Sequence, residues 1–188
     1  MEIGVWGDSI TYGAGDSEAL GWVGRLRKQF YKDDHGVYNR GVGGDSTEEL
    51  LERFNVEVDS IEPDIIIFAV GTNDSKYPDN GTEYRVSPDI FQKNVKELVI
   101  KAKSKAKRVV LIGLTEVNER GIDSTSVFTN ENLRKYDSIL QEVAKEGDVE
   151  FISMQGVIDT SSDLVDGLHP NAGGYEKMFR QIQVAFSV

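Results

Sequence analysis

Short apolar segments alternate along the chain with longer segments whose apolar residues recur every three or four positions. This alternation is typical of strands and helices that follow one another in a parallel sheet, so it predicts an α/β fold. The predicted strands are Ile3 to Trp6, Val37 to Asn39, Asp64 to Val70, Arg108 to Ile112 and Val149 to Ser153. The third is apolar at nearly every position, so we expect it to be buried on both faces at the centre of a five-stranded sheet.

Five helices are predicted between and after these strands. Three of them begin at residues that are typical of helix caps. Ser46 and Glu49 have the spacing of a capping box, Ser87 stands before a proline at the first helical position, and Thr129 can cap the fourth helix. The predicted ranges are Leu20 to Tyr31, Thr47 to Val58, Pro88 to Ala106, Asn130 to Lys145 and Gly174 to Phe186.

Two long irregular stretches, Asp74 to Ser87 and Thr115 to Phe128, each follow a predicted strand. Open α/β folds bind their ligands at the carboxyl edge of the sheet, where such stretches begin. We therefore expect the two loops to form walls of a substrate pocket. The alternative is that they are solvent-exposed loops without a binding role.

The 188 residues suit one domain spanning residues 1–188. The absence of Cys excludes disulfides, thiolate metal clusters and a Cys nucleophile. With 32 acidic and 21 basic residues, the net charge is -11, which disfavours nucleic acid and anionic membranes as partners. Since neither an export signal before Trp6 nor a long apolar span is found, we expect a cytoplasmic protein without stable membrane association.

Polar residues suited to catalysis follow four of the predicted strands. Ser9 follows the first strand, Gly44 the second and Asn73 the third, whereas Asp166 and His169 come after the fifth. The carboxyl ends of parallel strands lie at one edge of a sheet. We therefore expect these five residues to converge.

Ser9 and His169 are candidates for a nucleophile and its base. A serine hydroxyl becomes reactive when a base removes its proton, which a neutral imidazole does well near pH 7. Asp166, three residues before His169, is placed to orient the ring and to stabilise the imidazolium. The other histidine, His35, lies in a polar turn at the opposite edge of the sheet, and we interpret it as a surface residue.

Attack on an acyl carbon creates an oxyanion, which needs preorganised hydrogen-bond donors. The backbone N–H groups of Ser9 and Gly44 and the side-chain amide of Asn73 are the candidates. Taken singly, a glycine-rich segment indicates a tight turn, and an asparagine indicates a turn or a cap. Together with a serine and a histidine in this order, they favour an oxyanion hole.

These motifs resemble the sequence blocks of the SGNH (GDSL-like) hydrolases. The four blocks are matched by Gly7 to Thr11, with Ile10 where many members have leucine, and by Asn39 to Gly44, Gly71 to Asp74 and Asp166 to His169. The resemblance implies a three-layer α/β/α sandwich with the flavodoxin-like SGNH hydrolase fold. It also implies that the chain hydrolyses ester or thioester bonds without a metal or another cofactor. Family members act on small esters, lysophospholipids, thioesters and acetylated carbohydrates, so the substrate stays open.

Two alternatives remain at this point. Asp8, Asp45, Asp74 and Asp166 all follow strands and would suit a metal-dependent phosphoesterase, although such sites usually use several histidines or a dense carboxylate cluster. We interpret the first three as turn and cap residues. A flavodoxin-like binding module fits the order of elements, but no glycine-rich phosphate motif follows the first strand.

The polar composition of the two loops favours a short acyl group, most simply acetyl, on a small-molecule ester with a hydrophilic alcohol, because a lipase needs an apolar surface. Tyr12 and Trp22 lie near Ser9 in the sequence. They either line the pocket or pack in the core and at its rim. The oligomeric state does not follow from the sequence.

Overall fold

A five-stranded parallel sheet with the order β2-β1-β3-β4-β5 organises the chain. The computed structural model describes residues 1–31, 35–77, 83–122 and 126–186. The strands are β1 (Glu2–Gly7), β2 (Gly36–Gly41), β3 (Ile65–Ala69), β4 (Arg108–Ile112) and β5 (Glu150–Ile152). β3 lies between β1 and β4, and its residues Ile66 and Ile67 are fully buried. The prediction of a central third strand is confirmed.

Helices cover both faces of the sheet and complete the three layers. They are α1 (Ser9–Tyr12), α2 (Gly21–Phe30), α3 (Thr47–Val58), α4 (Pro88–Lys103), α5 (Asn130–Gly147) and α6 (Ala172–Gln183). One core packs α3, α4 and α5 against the sheet around Trp6, Phe54 and Phe91. The other packs α2 and α6 against the opposite face around Trp22 and Tyr175.

The predicted helix starts follow from the capping residues. The side chain of Ser46 accepts from the backbone of α3 while Glu49 accepts from the Ser46 N–H, which is a complete capping box. Ser87 caps α4 ahead of its proline, and Thr129 caps α5 through the N–H of Asn132. All three predicted caps are confirmed.

Several predicted boundaries differ from the structure. The last helix begins at Ala172 rather than Gly174, because Asn171 caps it, and it ends at Gln183 before a short 3-10 turn. The third predicted helix ends at Lys103 rather than Ala106. α1 was not predicted at all, since four residues carry no helical periodicity.

The two long loops contact each other, and the second one contacts the segment that carries Asp166. Tyr77 and Val127 exchange two backbone hydrogen bonds of 2.9 Å, which join the loops. The N–H of Asn118 donates to the carbonyl of Gly167 at 2.8 Å, so the second loop also supports the segment that carries Asp166. Residues 78–82 and 123–125 lie outside the described residues, and the role of the loops as pocket walls stays a prediction. Within the described ranges, no helix combines the length and the apolar character needed to cross a membrane.

Candidate active site

Ser9, Asp166 and His169 form one hydrogen-bonded chain at the carboxyl edge of the sheet. Ser9 Oγ lies 2.9 Å from His169 Nε2, although the two residues are 160 positions apart. On the other side of the ring, His169 Nδ1 lies 2.7 Å from Asp166 Oδ2. The structure therefore brings together the three residues in which the sequence predicts a nucleophile, a base and an orienting carboxylate.

The position of Ser9 is set by the turn from β1 into α1. Asp8 caps α1, because its Oδ1 accepts the N–H of Ile10 at 2.9 Å. Gly13 ends the helix in the left-handed conformation, with φ +99°, and donates its N–H to the Ser9 carbonyl. Since Ser9 is the first residue of α1, its own N–H has no acceptor within the helix and points away from it.

The segment from Asp166 to His169 holds the imidazole ring in one orientation. Asp166 Oδ1 accepts the backbone N–H groups of Leu168 at 3.0 Å and His169 at 2.7 Å. Partial burial opposes the charged form, but these bonds and the one from the His169 ring lower the pKa of Asp166. Since an ionised carboxylate can only accept, Nδ1 carries the ring proton and Nε2 is free to accept from the Ser9 hydroxyl.

Gly44 and Asn73 lie on two loops that touch beside Ser9. Asn73 Nδ2 donates to the carbonyl of Asp45 at 3.0 Å, so the loop after β3 holds the loop after β2. A Cβ placed on Gly43 would lie 4.0 Å from Ser9 Cβ, which locates this second loop next to the nucleophile. Gly44 has φ +87°, a left-handed conformation that favours glycine.

Asp74, in the loop after β3, binds Thr47 where the loop after β2 meets α3. It is fully buried and accepts both the N–H of Thr47 at 3.0 Å and the Thr47 hydroxyl at 2.5 Å. Burial raises the pKa of Asp74 to about 6, although the bonds from Thr47 oppose the rise. Asn94 donates to the same Thr47 hydroxyl, which completes a buried polar network at the start of α3.

The acidic residues that suggested a metal site bind protein groups instead. Asp8 and Asp74 cap or support helix starts, as predicted, whereas Asp45 forms an ion pair with Arg53 at 2.7 Å. Among residues 1–31, 35–77, 83–122 and 126–186, no three His, Cys, Asp or Glu side chains are grouped as a metal site.

Three residues that the sequence left undecided have distinct surroundings. Trp22 is fully buried in the core, where it shares a cavity of about 20 Å³ with Asp8. Tyr12 is 66% exposed at the end of α1. His35 is half-buried at the amino edge of the sheet, where it packs against the Phe30 ring and contacts the amino group of Met1 at 3.2 Å.

Sequence reasoning missed two arginines that contact the loop after β2. Arg85 donates to the carbonyl of Gly44 at 2.6 Å and pairs with Glu49 at 2.7 Å. Arg53 pairs with Asp45. Arg85 and Gly44 are 41 positions apart, so no local sequence pattern predicts the hydrogen bond between them.

Comparison with known proteins decides the family. A profile of the GDSL-like Lipase/Acylhydrolase family matches residues 5–177. The chain belongs to this family. The resemblance inferred from the sequence motifs is confirmed.

Relatives of this GDSL-like chain include larger esterases. It is 31% identical over 164 residues to a multidomain esterase of Ruminococcus flavefaciens, covering 84% of this chain and 17% of that protein. It is 29% identical over 208 residues to an acetylxylan esterase of Xylanibacter ruminicola, covering 95% and 42%. The chain thus spans less than half the length of either relative.

The fold matches solved structures over nearly the whole chain. An acetylxylan esterase from Geobacillus stearothermophilus superposes with a TM-score of 0.81 at 19% identity, covering 100% of this chain and 94% of that one. At this identity the likeness establishes the fold alone. The predicted α/β sandwich of the SGNH type is confirmed.

Proposed function

We propose that this chain is a serine esterase that cleaves carboxylic esters through an acyl-enzyme formed on Ser9. One observation carries the proposal: the hydrogen-bonded chain from Ser9 Oγ through the His169 ring to Asp166, with distances of 2.9 and 2.7 Å. Such a chain supplies a nucleophile, a base and an orienting carboxylate in reach of one another. The proposed active site lies within a single domain over residues 1–188.

The reaction begins when Ser9 Oγ attacks the acyl carbon and its proton passes to His169 Nε2. The carbonyl bond electrons move onto oxygen, and Asp166 stabilises the imidazolium that forms. When the tetrahedral intermediate collapses, the ester C–O bond breaks and His169 protonates the departing alcohol. A water molecule then attacks the acyl-enzyme and gives its proton to His169. When this second tetrahedral intermediate collapses, the bond between Ser9 Oγ and the acyl carbon breaks, His169 returns the proton to Oγ, and the free acid leaves.

The oxyanion receives its hydrogen bonds from three donors in this proposal: the N–H groups of Ser9 and Gly44 and the amide of Asn73. The free N–H of Ser9 at the first position of α1 supports the first donor. The contact between Asn73 and Asp45 supports the other two, because it holds both loops beside Ser9. Removing one such donor typically costs about 3 kcal/mol of transition-state stabilisation.

The substrate we propose is an ester of a short acyl group, most simply acetyl, on a hydrophilic alcohol. In the described parts of the two long loops, Glu83, Glu119 and Arg120 are exposed, and Val117 and Phe128 are buried in the core. One large apolar side chain of these loops, Val127, is also exposed. The exposed residues of the described loop segments are thus mainly polar, whereas a lipase uses an apolar surface. The names of two relatives, an acetylxylan esterase and a homolog of an isoamyl acetate-hydrolyzing esterase, refer to acetate esters, which agrees with this choice.

The Geobacillus esterase offers a second line of support for the three catalytic roles. Its described catalytic mutants replace a serine, an aspartate and a histidine, the residue types that we assign here.

We also propose that the chain works in the cytoplasm, without nucleic acid or a stable membrane partner, on the basis of its charge of -11 and its lack of Cys.

The proposal is tested with Ser9→Ala, His169→Ala and the double variant. Each single substitution should lower kcat for an activated acetyl ester by several orders of magnitude, and the double variant should be hardly worse, because the two residues act as a unit. Wild-type Ser9 should also be labelled by an organophosphonate. Effects that simply multiply, or labelling at another residue, would contradict the assignment.

Two further measurements separate the alternatives. Dialysis against a chelator should leave the activity unchanged, whereas loss and recovery on adding a divalent metal would favour the phosphoesterase. The specificity constant should fall from acetate to laurate esters. A steady rise along this series, or a jump in rate above the micelle concentration, would refute the short-acyl substrate.

A further inference from the structure

The guanidinium of Arg53 on α3 contacts β1, the loop after β2 and a residue of its own helix. Its Nε donates to the Asp45 carboxylate at 2.7 Å, and its Nη1 donates to Glu57 at 2.7 Å. Its Nη2 donates to the backbone carbonyl of Gly7 at 3.2 Å. All three nitrogens are therefore used, and the Arg53 side chain is only 18% exposed.

Two of these contacts are made with residues close in the chain to the proposed oxyanion donors. Gly7 is the last residue of β1, two positions before Ser9. Asp45 directly follows Gly44, and its own carbonyl accepts the amide of Asn73. The rigid planar fork of one arginine thus joins the strand that leads to the nucleophile with the loop that supplies a proposed oxyanion donor.

The third contact fixes the guanidinium itself. Glu57 lies one turn further along α3 and accepts both from Arg53 and from the Trp6 indole N–H at 2.8 Å. Trp6 is fully buried in the core between β1 and α3. The fork is therefore anchored to the core on one side and reaches the active-site edge on the other.

We propose that Arg53 is a positioning residue, which sets the distance between Ser9 and the Gly44 N–H by bridging Gly7 and Asp45. This inference rests on the proposed oxyanion hole. It adds the contact that keeps the N–H groups of Ser9 and Gly44 at a fixed distance from each other. Arg53 itself does not touch the substrate. It acts through the geometry of the donors, which stabilise charge only in the transition state.

The expected consequence is a loss of kcat with little change in KM. A displacement of about 1 Å in a catalytic group can cost roughly 100-fold in rate. We therefore expect Arg53→Gln to lower kcat for an acetyl ester by about 10- to 100-fold. Arg53→Lys should recover part of this loss, because it keeps the charge but cannot donate to three groups in one plane.

A matched control is available at the other end of the sheet. Arg108 pairs with Glu150 at 2.5 Å and donates to a backbone carbonyl, but both residues begin strands at the amino edge. Arg108→Gln removes a comparable ion pair far from Ser9. It should lower the melting temperature without changing kcat.

Amide chemical shifts report on the position of the loop after β2 without relying on an activity measurement. In ¹H–¹⁵N spectra of the full chain, Arg53→Gln should shift the amides of Ser9 and of Gly43 to Asp45, whereas Arg108→Gln should leave them in place. Asp45→Asn breaks the other end of the bridge without removing the arginine, and it replaces Arg53→Gln if that variant does not fold. Combined with Arg53→Gln, it should add little further loss, because both act on one contact.

The outcomes separate this inference from the proposed function. A folded Arg53→Gln with unchanged kcat and unshifted Gly44 amide overturns the bridge while leaving the esterase proposal intact. An equal kcat loss in Arg108→Gln also overturns it, since the effect would then follow global stability. If the wild-type chain hydrolyses no ester, the proposed function fails, and the amide shifts alone decide whether Arg53 positions the loop.

Discussion

Asp8→Asn is expected to change how the stability of the fold depends on pH. Asp8 is almost fully buried directly before the proposed nucleophile, where its side chain caps α1. Burial raises the pKa of its carboxyl to about 7, and the charge of Asp74 adds to the rise, while the Ile10 N–H and His169 oppose it. An amide at position 8 keeps the acceptor for the Ile10 N–H but never ionises.

The size of the effect follows from the rise in pKa from 3.8 to about 7. Each pKa unit corresponds to about 1.4 kcal/mol, so ionised Asp8 lowers the free energy of unfolding by about 4 kcal/mol. Below the unfolded pKa of 3.8 the carboxyl is neutral in both states and the penalty is absent. Because the folded pKa is the higher one, stability is lost as the pH rises from about 4 through about 7.

The assay is urea unfolding of both proteins between pH 4 and pH 8. Near pH 4 the two free energies of unfolding should be similar, and near pH 8 Asp8→Asn should be the more stable by up to about 4 kcal/mol. Asp89→Asn, an exposed position on α4, controls for the loss of any one negative charge. The difference curve between variant and wild type cancels the contributions of the other carboxylates. A flat difference curve would refute the burial argument.

Three shorter predictions test the site itself. Asn73→Ala should lower kcat by about 100-fold or more with little change in KM, because its amide acts on transition-state charge; an effect confined to KM would indicate substrate binding. Asp166→Asn should cost about 10²- to 10⁴-fold in kcat through the wrong histidine tautomer, and wild-type turnover at pH 7 would remove Asp166 from the triad. Gly167→Ala should lower both melting temperature and kcat, since φ is +82° and a Cβ would meet backbone atoms of the Asn118–Ile122 segment at 2.7–2.8 Å. A fully active, equally stable alanine variant would contradict this.

The order and type of the main elements were predictable because they depend on neighbouring residues. The apolar run that became β3 needed no partner to be recognised as a central strand. Ser46 and Thr129 likewise mark helix starts by what lies within three positions of them. α1 was not predicted because it depends on one capping residue, Asp8, and one glycine, Gly13, rather than on a repeating apolar pattern.

The candidate site was partly predictable for a topological reason. Parallel strands place their carboxyl ends at one edge, so residues that follow different strands converge whatever their separation in sequence. Ser9 and His169 were expected to meet for this reason, and Ser9 Oγ lies 2.9 Å from His169 Nε2. Topology could not set the roles of the two long loops, which include residues 78–82 and 123–125 outside the described part of the chain.

By itself, the sequence determined the α/β class, the central strand, the helix caps and the family motifs. Each of these features depends on residues that are close together in the chain or that directly follow a strand. Only the tertiary structure decided which side chains are buried together. The raised pKa of Asp8, the buried bond of Asp74 to Thr47 and the bridge that Arg53 makes from Gly7 to Asp45 all depend on burial and on contacts across elements. No local pattern encodes these, because desolvation and long-range hydrogen bonds exist only once the chain has folded.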